Sequence, residues 1–516
     1  MRHLKCICFV RPTSETIQSL VNELREPKYG EYSIYFSNIV KKSSLERMAE
    51  ADDHEVVKAV QEFYADYLAI AKDLFSLSVG REIPSIFSME RDTWNPDAFE
   101  KAVEGVLAVI LSLKKKPLIR YERNSAMAKR LGTEIQYQMT SEKQLFDFRK
   151  TDTPPILLIL DRRNDPVTPL LSQWTYQAMV HDLLTIHNGR VSLASVPDIR
   201  PELREIVLSP DQDPFFAKNM YLNFGDLGAN VKEYVDHFQT KTKSNTNIES
   251  IADMKRFVED YPEFRRLTGN VSKHVTLISE LSRRVEGARL LEVSELEQSL
   301  ACGDSHNADL KVRNFHCVIL IKVLQGLLQR DIPDWNKVRL VALYALRYEK
   351  HQNNSFPALR DLLVHSGVDP LKVSVIDALL AYSGQSQRQE DLYATSDLFS
   401  RARSGFKGLK GVENVYTQHT PFLEKTLSSL TKGRLREQTH PFVDPGDGSV
   451  AQANKERPQD IIVFMVGGTT YEEAKMIAGV NESMPGVRIV LGGMTVHNSE
   501  SFLKVWSRSN GLTVGN

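Results

Sequence analysis

The sequence predicts an α/β fold with a large, mostly helical insertion, and three observations carry that prediction. The apolar run Pro155-Ile-Leu-Leu-Ile-Leu160 has the unbroken hydrophobicity of a strand covered on both faces, hence of a central parallel sheet. From about Val191 to Gly433, strand signals almost vanish and helical periodicity takes over. Strand character then returns in Ile461-Ile-Val-Phe-Met-Val466 and Val487-Arg-Ile-Val-Leu491. One strand–helix–strand unit is too little for an independent domain. These late strands are therefore expected to complete the earlier sheet, with the helical block inserted between its halves. A chain of 516 residues holds about three domains at roughly 150 residues each.

The elements follow in order. Leu4–Val10 reads as a buried strand stopped by Arg11-Pro12, and Thr13 suits the N-cap of a helix bearing Ile17, Leu20, Val21 and Leu24. A strand over Tyr32–Phe36 follows the Pro27/Gly30 break. A helix is expected from Glu55, with Val56, Val60, Phe63, Tyr67 and Leu68 at helical spacing. A helix over Ala102–Leu113, the short apolar run Pro117–Tyr121 and the strand ending at Leu160 form a second unit. After the turn Asp161-Arg-Arg-Asn-Asp-Pro166 comes a helical stretch with Trp174, Met179 and Leu183. Inside the helical block, Val231/Tyr234/Val235/Phe238 and Ile251/Met254/Phe257/Val258 mark two helices, and the polar tract Thr240–Asn247 between them reads as an exposed hairpin tip. Periodicity runs from Glu249 to Tyr261, meets Pro262 and resumes through Ile278. Pro262 fits the first turn of a new helix or a hinge between two segments, and the residues alone favour neither. The Pro/Gly/Asp-rich linker Pro441–Pro458 precedes the late strands.

Composition narrows the function classes. Apolar residues make up 41% and charged residues 25%, enough apolar material for folded domains. Lys and Arg number 65 against 66 Asp and Glu, a net charge of −1, so no basic excess marks a nucleic-acid binder. Cys6, Cys8, Cys302 and Cys317 are too few and scattered for a disulfide framework, which points to a reducing compartment. The apolar stretches Val103–Leu113 and Ile461–Val466 fall short of a membrane span, and MRHLKCICFV has no signal-peptide cleavage site. A cytosolic chain that meets membranes through partners is expected.

Catalytic motifs are weak. Val466-Gly-Gly-Thr-Thr-Tyr-Glu-Glu-Ala474 has the strand, glycine turn and helix of a phosphate cradle, which supports a rival reading: an α/β enzyme holding a phosphorylated ligand at Gly467-Gly468. The turn lacks both common phosphate-loop spacings, and Thr470 with Glu473 fits a capping box that needs no ligand. Asp161 and Asp165 lie where α/β enzymes place catalytic groups, but Asp165-Pro166 suits turn chemistry better. Cys6 and Cys8 share one face of a strand with no second zinc-spaced pair, and His181 and His187 miss the i, i+4 spacing of a metalloprotease. No metal or cofactor is expected, and no acid, base and nucleophile assemble.

Leu157-Leu-Ile-Leu-Asp-Arg162, Asp165-Pro-Val-Thr-Pro-Leu-Leu171 and Trp174–Leu184 resemble the Sec/Munc family of SNARE-binding vesicle-fusion proteins. Lys407–His419, Arg457–Phe464 and Pro485–His497 are similar to its vacuolar protein sorting branch. The resemblance implies a three-domain arch with parallel sheets in the first two domains. Residues 1–72 would form domain 1, residues 73–188 and 456–516 the two parts of domain 2, and residues 189–455 the helical domain 3, with a hairpin near 230–285. It implies a non-enzymatic monomer without cofactor. The partners would be a syntaxin-type SNARE of the trans-Golgi or endosome, a vesicle SNARE and the assembled SNARE complex. No nucleic acid would bind, and Golgi and endosomal membranes would be met only through the SNAREs.

Residue by residue, the resemblance makes Pro262 a hinge of the SNARE-binding hairpin and places the vesicle SNARE along His274, Val275 and Leu277. It places a pocket for the syntaxin's N-terminal peptide at Leu45, Val57, Val60 and Glu62. The family carries a further strand–helix–strand before the residues that match Leu4–Val10, so the first sheet is expected to lose strands and expose an edge. Lys311–Leu320 reads as an insertion relative to the family.

Overall fold

The computed structural model describes residues 3–79, 85–87, 92–149, 151–246, 251–302, 321–351, 354–393, 416–443 and 457–509, excluding the side chains of 240–267 and 507–509. Lys311–Leu320 and most of the Lys407–His419 and Pro441–Pro458 stretches lie outside the described residues.

The first sheet joins β1 (Lys5–Val10), β2 (Glu31–Phe36) and β3 (Val57–Glu62) in parallel, in the order β1-β2-β3. Helices α1 (Ser14–Arg25) and α2 (Lys42–Ala51) cover one face, packing Ile17, Leu20, Val21, Leu24 and Met48 on Tyr32, Ile34 and Phe36. The Thr13 hydroxyl accepts the Thr16 amide and caps α1. Two expectations change here. The segment expected to be helical from Glu55 is strand β3. Asp52 ends α2 and takes the amides of Val56 and Val57 on its two carboxylate oxygens, at 2.9 and 3.0 Å, which launches the β-branched run as a strand. Strand β1 is buried on only one face, since Ile7 is 74% and Phe9 60% exposed at the end of the sheet. Cys6 and Cys8 do share a face, with sulfurs 3.6 Å apart, and burial followed by the Cys6 neighbour pushes the Cys8 thiol up to about 11.

The second sheet has six strands: β4 (Leu68–Ala71), β5 (Leu74–Ser76), β6 (Leu118–Tyr121), β7 (Ile156–Asp161), β10 (Asp460–Val466) and β11 (Arg488–Gly493). Their order is β4-β5-β11-β10-β7-β6, so β10 and β11 from the late segment sit between strands of the early one. Ile461 pairs with Ile156 and Val466 with Asp161. Every pairing is parallel except β4 with β5, which makes the sheet mixed at one edge; β4 also lies before residue 73. Side chains alternate between two cores. Leu157 and Ile159 pack with α3 (Pro96–Leu113) and α4 (Ala126–Ser141), whereas Leu158 and Leu160 pack beneath α13 (Phe422–Thr431) and α14 (Tyr471–Ser483). This two-sided burial is what the unbroken apolar run requires.

Between these segments the chain forms α5 (Tyr176–Leu184), the antiparallel hairpin β8 (Arg190–Ser192) and β9 (Glu205–Val207), and the helices α6 (Pro214–Asn219), α7 (Phe224–Thr246), α8 (Ile251–Gly287) and α9 (Leu290–Cys302). Helices α10 (Asp334–Tyr348), α11 (Phe356–His365) and α12 (Pro370–Ser383) follow, and α15 (Ser499–Ser509) closes the chain. Helix α7 runs through most of the expected hairpin tip, because Thr240-Lys-Thr-Lys-Ser contains neither glycine nor proline to stop it. Helix α8 is continuous in backbone through Pro262, whose fixed φ suits a helix although its missing N–H forgoes one bond. Buried Arg339 on α10 pairs with Glu297 of α9 at 2.7 Å and ties the helical block to the sheet domain through Ser499 at 2.9 Å and Ser172 at 2.8 Å. Among the described residues, no helix is long and apolar enough to cross a membrane.

Candidate functional site

The glycine turn after β10 is filled by the protein itself. Gly467 and Gly468 adopt φ values of +87° and +91°, and an added Cβ would stand 2.9 Å from the Arg162 Cβ or 2.6 Å from the His497 ring. The Gly468 carbonyl accepts from Arg162 Nε and Nη2 at 3.1 and 2.9 Å, and the Gly467 carbonyl accepts from His497 Nε2 at 2.8 Å. The nearby amides are spent as well: Gly468 N donates to Met465 O, Thr469 N to Thr495 O and Thr470 N to Glu473 Oε2. Glu473 completes the expected capping box of α14 and also holds Arg162. Arg162 and His497 thus occupy the space a phosphate would need, and these three amides are already paired.

Asp161 and Asp165 are likewise consumed. Asp161 accepts from the hydroxyls of Ser125 and Tyr382 and from the Arg163 amide. Asp165 takes both the amide and hydroxyl of Thr168 and the Phe422 amide at 3.1 Å. Burial would raise the Asp165 carboxyl, but the charges of Arg162 and His419 and the Thr168 bonds hold it below the usual range. Among the described residues, no cluster of three or more His, Cys, Asp or Glu could hold a metal.

The helical hairpin offers a different kind of site. Its two helices leave the body side by side, and the C-terminal half of α8 docks through Val271, His274, Leu277, Leu281 and Val285, all buried and spaced to share one helix face. His274 and Leu277 are fully buried, so neither can face a partner directly; Val275 is 42% exposed. Pro262 lies farther out on α8, and its side chain is outside the described residues. His274 Nε2 donates to Asp213 at 2.8 Å while Nδ1 accepts from the Tyr176 hydroxyl at 2.8 Å. Burial holds this imidazole below its usual range, consistent with a neutral ring protonated at Nε2, and Lys273 supplies the cation beside Asp213. Burial alone would raise the Asp213 carboxyl, but the bonds from His274 and Lys273 pull it well below the ordinary value.

In the first domain, Leu45 lies on α2 and Val57, Val60 and Glu62 on β3. Leu45 and Val60 are exposed apolar side chains, whereas Val57 packs partly against the core. Glu62 is occupied structurally, accepting the Val40 amide at 2.7 Å.

The profile of the Sec1 family matches residues 1–505. The chain belongs to the Sec1 family. Within that family it is 52% identical over 504 residues to vacuolar protein sorting-associated protein 45 of Schizosaccharomyces pombe, covering 98% of this chain and 87% of the relative. The Rattus norvegicus protein of the same name is 48% identical over 505 residues, covering 98% of this chain and 85% of the relative. A solved structure described as the SM protein Vps45 in complex with Qa SNARE Tlg2 (1-310) matches with a TM-score of 0.88 and 58% identity, covering 100% of this chain and 88% of that one. Arg162 and Tyr176 lie inside stretches that carry the resemblance, but their roles, and that of Asp213, escape motif reading because their partners lie far away in sequence.

Proposed function

We propose that this protein binds a syntaxin-type SNARE and promotes SNARE-complex assembly during vesicle docking and fusion on the trans-Golgi, endosomal and vacuolar route. The observation that carries the reading is the match over the whole chain, at 58% identity, to an SM protein solved with a Qa SNARE. A SNARE motif is an amphipathic segment that orders on binding, and a preformed surface lowers the cost of ordering it. In this reading, residues 1–72 hold the SNARE's N-terminal peptide near Leu45, Val57, Val60 and Glu62, and the hairpin within residues 189–455 receives the SNARE bundle and the vesicle SNARE. Residues 73–188 and 456–516 form the rigid domain between them. Pro262 is the hinge of the hairpin, and Val275 is a contact residue on its surface. The protein works without catalysis or cofactor, as a cytoplasmic monomer, and reaches Golgi and endosomal membranes through its SNAREs. Calorimetry of the folded chain against the cytosolic regions of trans-Golgi and endosomal syntaxins tests this. Saturable 1:1 binding to one of them is expected, and absence of heat with all of them would overturn the reading.

A further inference from the structure

The base of the hairpin is a polar knot whose members come from four elements. Asp213 is the N-cap of α6, accepting the Phe216 amide on Oδ1 at 3.0 Å. Its Oδ2 accepts from His274 of α8 at 2.8 Å and from Lys273. The His274 ring is held on its other side by the hydroxyl of Tyr176, the first residue of α5, at 2.8 Å. Lys273 also reaches the Val207 carbonyl of β9 at 3.3 Å. Phe215, two residues after Asp213, lies between the hairpin's two helices: its ring is 4.6 Å from that of His274 on α8 and stacks at 4.5 Å on Tyr234 of α7. One short helix, α6, therefore grips both arms of the hairpin.

We propose that Asp213, Tyr176 and Phe215 are positioning residues that fix the direction in which the hairpin projects, and that this fixed direction sets the rate of SNARE assembly. The proposal rests on the SNARE-assembly reading above. The mechanical argument is leverage. From His274 to Ile251, α8 extends about 35 Å at 1.5 Å per residue. A tilt of ~10° at the knot would displace the outer end by roughly 6 Å, about one helical turn. Apolar packing around Leu277 and Leu281 resists withdrawal of the helix but is non-directional. Hydrogen bonds to two different body elements specify one orientation. A template that must present two partners in register loses its advantage when its arms wander.

The test uses the full chain and two variants, Tyr176→Phe, which removes one hydroxyl, and Asp213→Asn, which keeps an oxygen to cap α6. Spin labels at Lys243 of α7, nine residues beyond Tyr234 along the helix, and at exposed Lys129 of α4 report the hairpin's direction by pulsed dipolar spectroscopy. Both variants are expected to broaden the distance distribution and to slow SNARE assembly on liposomes by roughly threefold to tenfold, with affinity for the syntaxin N-terminal peptide unchanged. A loss of thermal stability with an unchanged distance distribution would mean a merely structural role and overturn the proposal. Broadening with wild-type assembly would overturn it too. If the wild-type protein assembles no SNARE complex, the functional reading fails by itself, and the spin-label arm still decides whether the knot sets the direction. Should Asp213→Asn not fold, Tyr176→Phe carries both readouts.

Discussion

Arg162 and Glu473, 311 residues apart in the chain, form a two-pronged ion pair with nitrogen–oxygen distances of 2.9 and 2.6 Å and almost no access to solvent. Arg162 follows β7 from the early segment, and Glu473 lies in the first turn of α14 from the late one, so the pair closes the second sheet where its two chain segments meet. Pairs this deeply buried depend on both partners, because removing one leaves an uncompensated charge. Arg162→Met should therefore cost about 3–5 kcal/mol in urea unfolding. Adding Glu473→Gln to Arg162→Met should recover part of that loss. A cost below about 1 kcal/mol for the single variant would show that water reaches the pair. The same geometry predicts no thermal shift with nucleotides or sugar phosphates, since Arg162 and His497 occupy the turn a phosphate would need.

Acid sensitivity follows from buried imidazoles. Burial lowers His181 to about 4; for His497, burial and then the Arg162 charge lower it to about 3. Their folded values lie below the unfolded value of 6.5, so the stability they contribute is present above pH 6.5 and is lost as pH falls toward 4 and 3. Between pH 6.5 and 5 each should cost roughly 2 kcal/mol. Glu122, pushed up to about 8 by burial, works in the opposite sense over the same range, so variants read the effect better than the bare profile does. His497→Gln should be less stable at pH 7 yet take up about one proton fewer on unfolding at pH 5. An unchanged pH slope would contradict the assignment of His497 as a buried neutral ring.

How far the sequence could be read depended on where each signal lay. The central strand Ile156–Asp161 was legible because burial on both faces leaves a continuous apolar run. Strand β3 was not, because Val56, Val60, Phe63 and Tyr67 happen to fall at helical intervals, while the deciding bonds come from Asp52 before the run. His274 shows the same limit at the site. A histidine amid polar helical residues looks like surface, and the partners that bury it, Asp213 and Tyr176, stand 61 and 98 residues away. Arg162 sits inside a legible motif, but its role depends on Glu473 across the sheet, which local spacing cannot reveal.

Val275 and Leu277 separate binding from folding on one helix. Val275 is exposed and Leu277 fully buried, two residues apart. Val275→Asp should leave the melting temperature within about 1 °C, since surface changes usually stay within about 0.5 kcal/mol, while slowing SNARE assembly. Leu277→Ala should cost about 2–5 kcal/mol through the cavity it leaves. If Val275→Asp matched the wild type in liposome fusion, this face of α8 would not be a contact surface.

Pro262 is the last test, and the continuous α8 backbone sharpens it. A proline inside a helix forgoes the hydrogen bond to the carbonyl four residues earlier and crowds that turn, at a cost of about 3 kcal/mol or more. The extended helix is thus built against a local penalty, which makes a bent form of the hairpin accessible at small cost. Pro262→Ala restores the amide donor and shifts the balance toward the extended form, the one that offers an unbroken face to an incoming helix. The variant should show slower amide exchange along residues 251–270 and faster liposome fusion. Slower exchange with an unchanged fusion rate would separate the two effects and leave Pro262 as a local irregularity rather than the hinge of assembly.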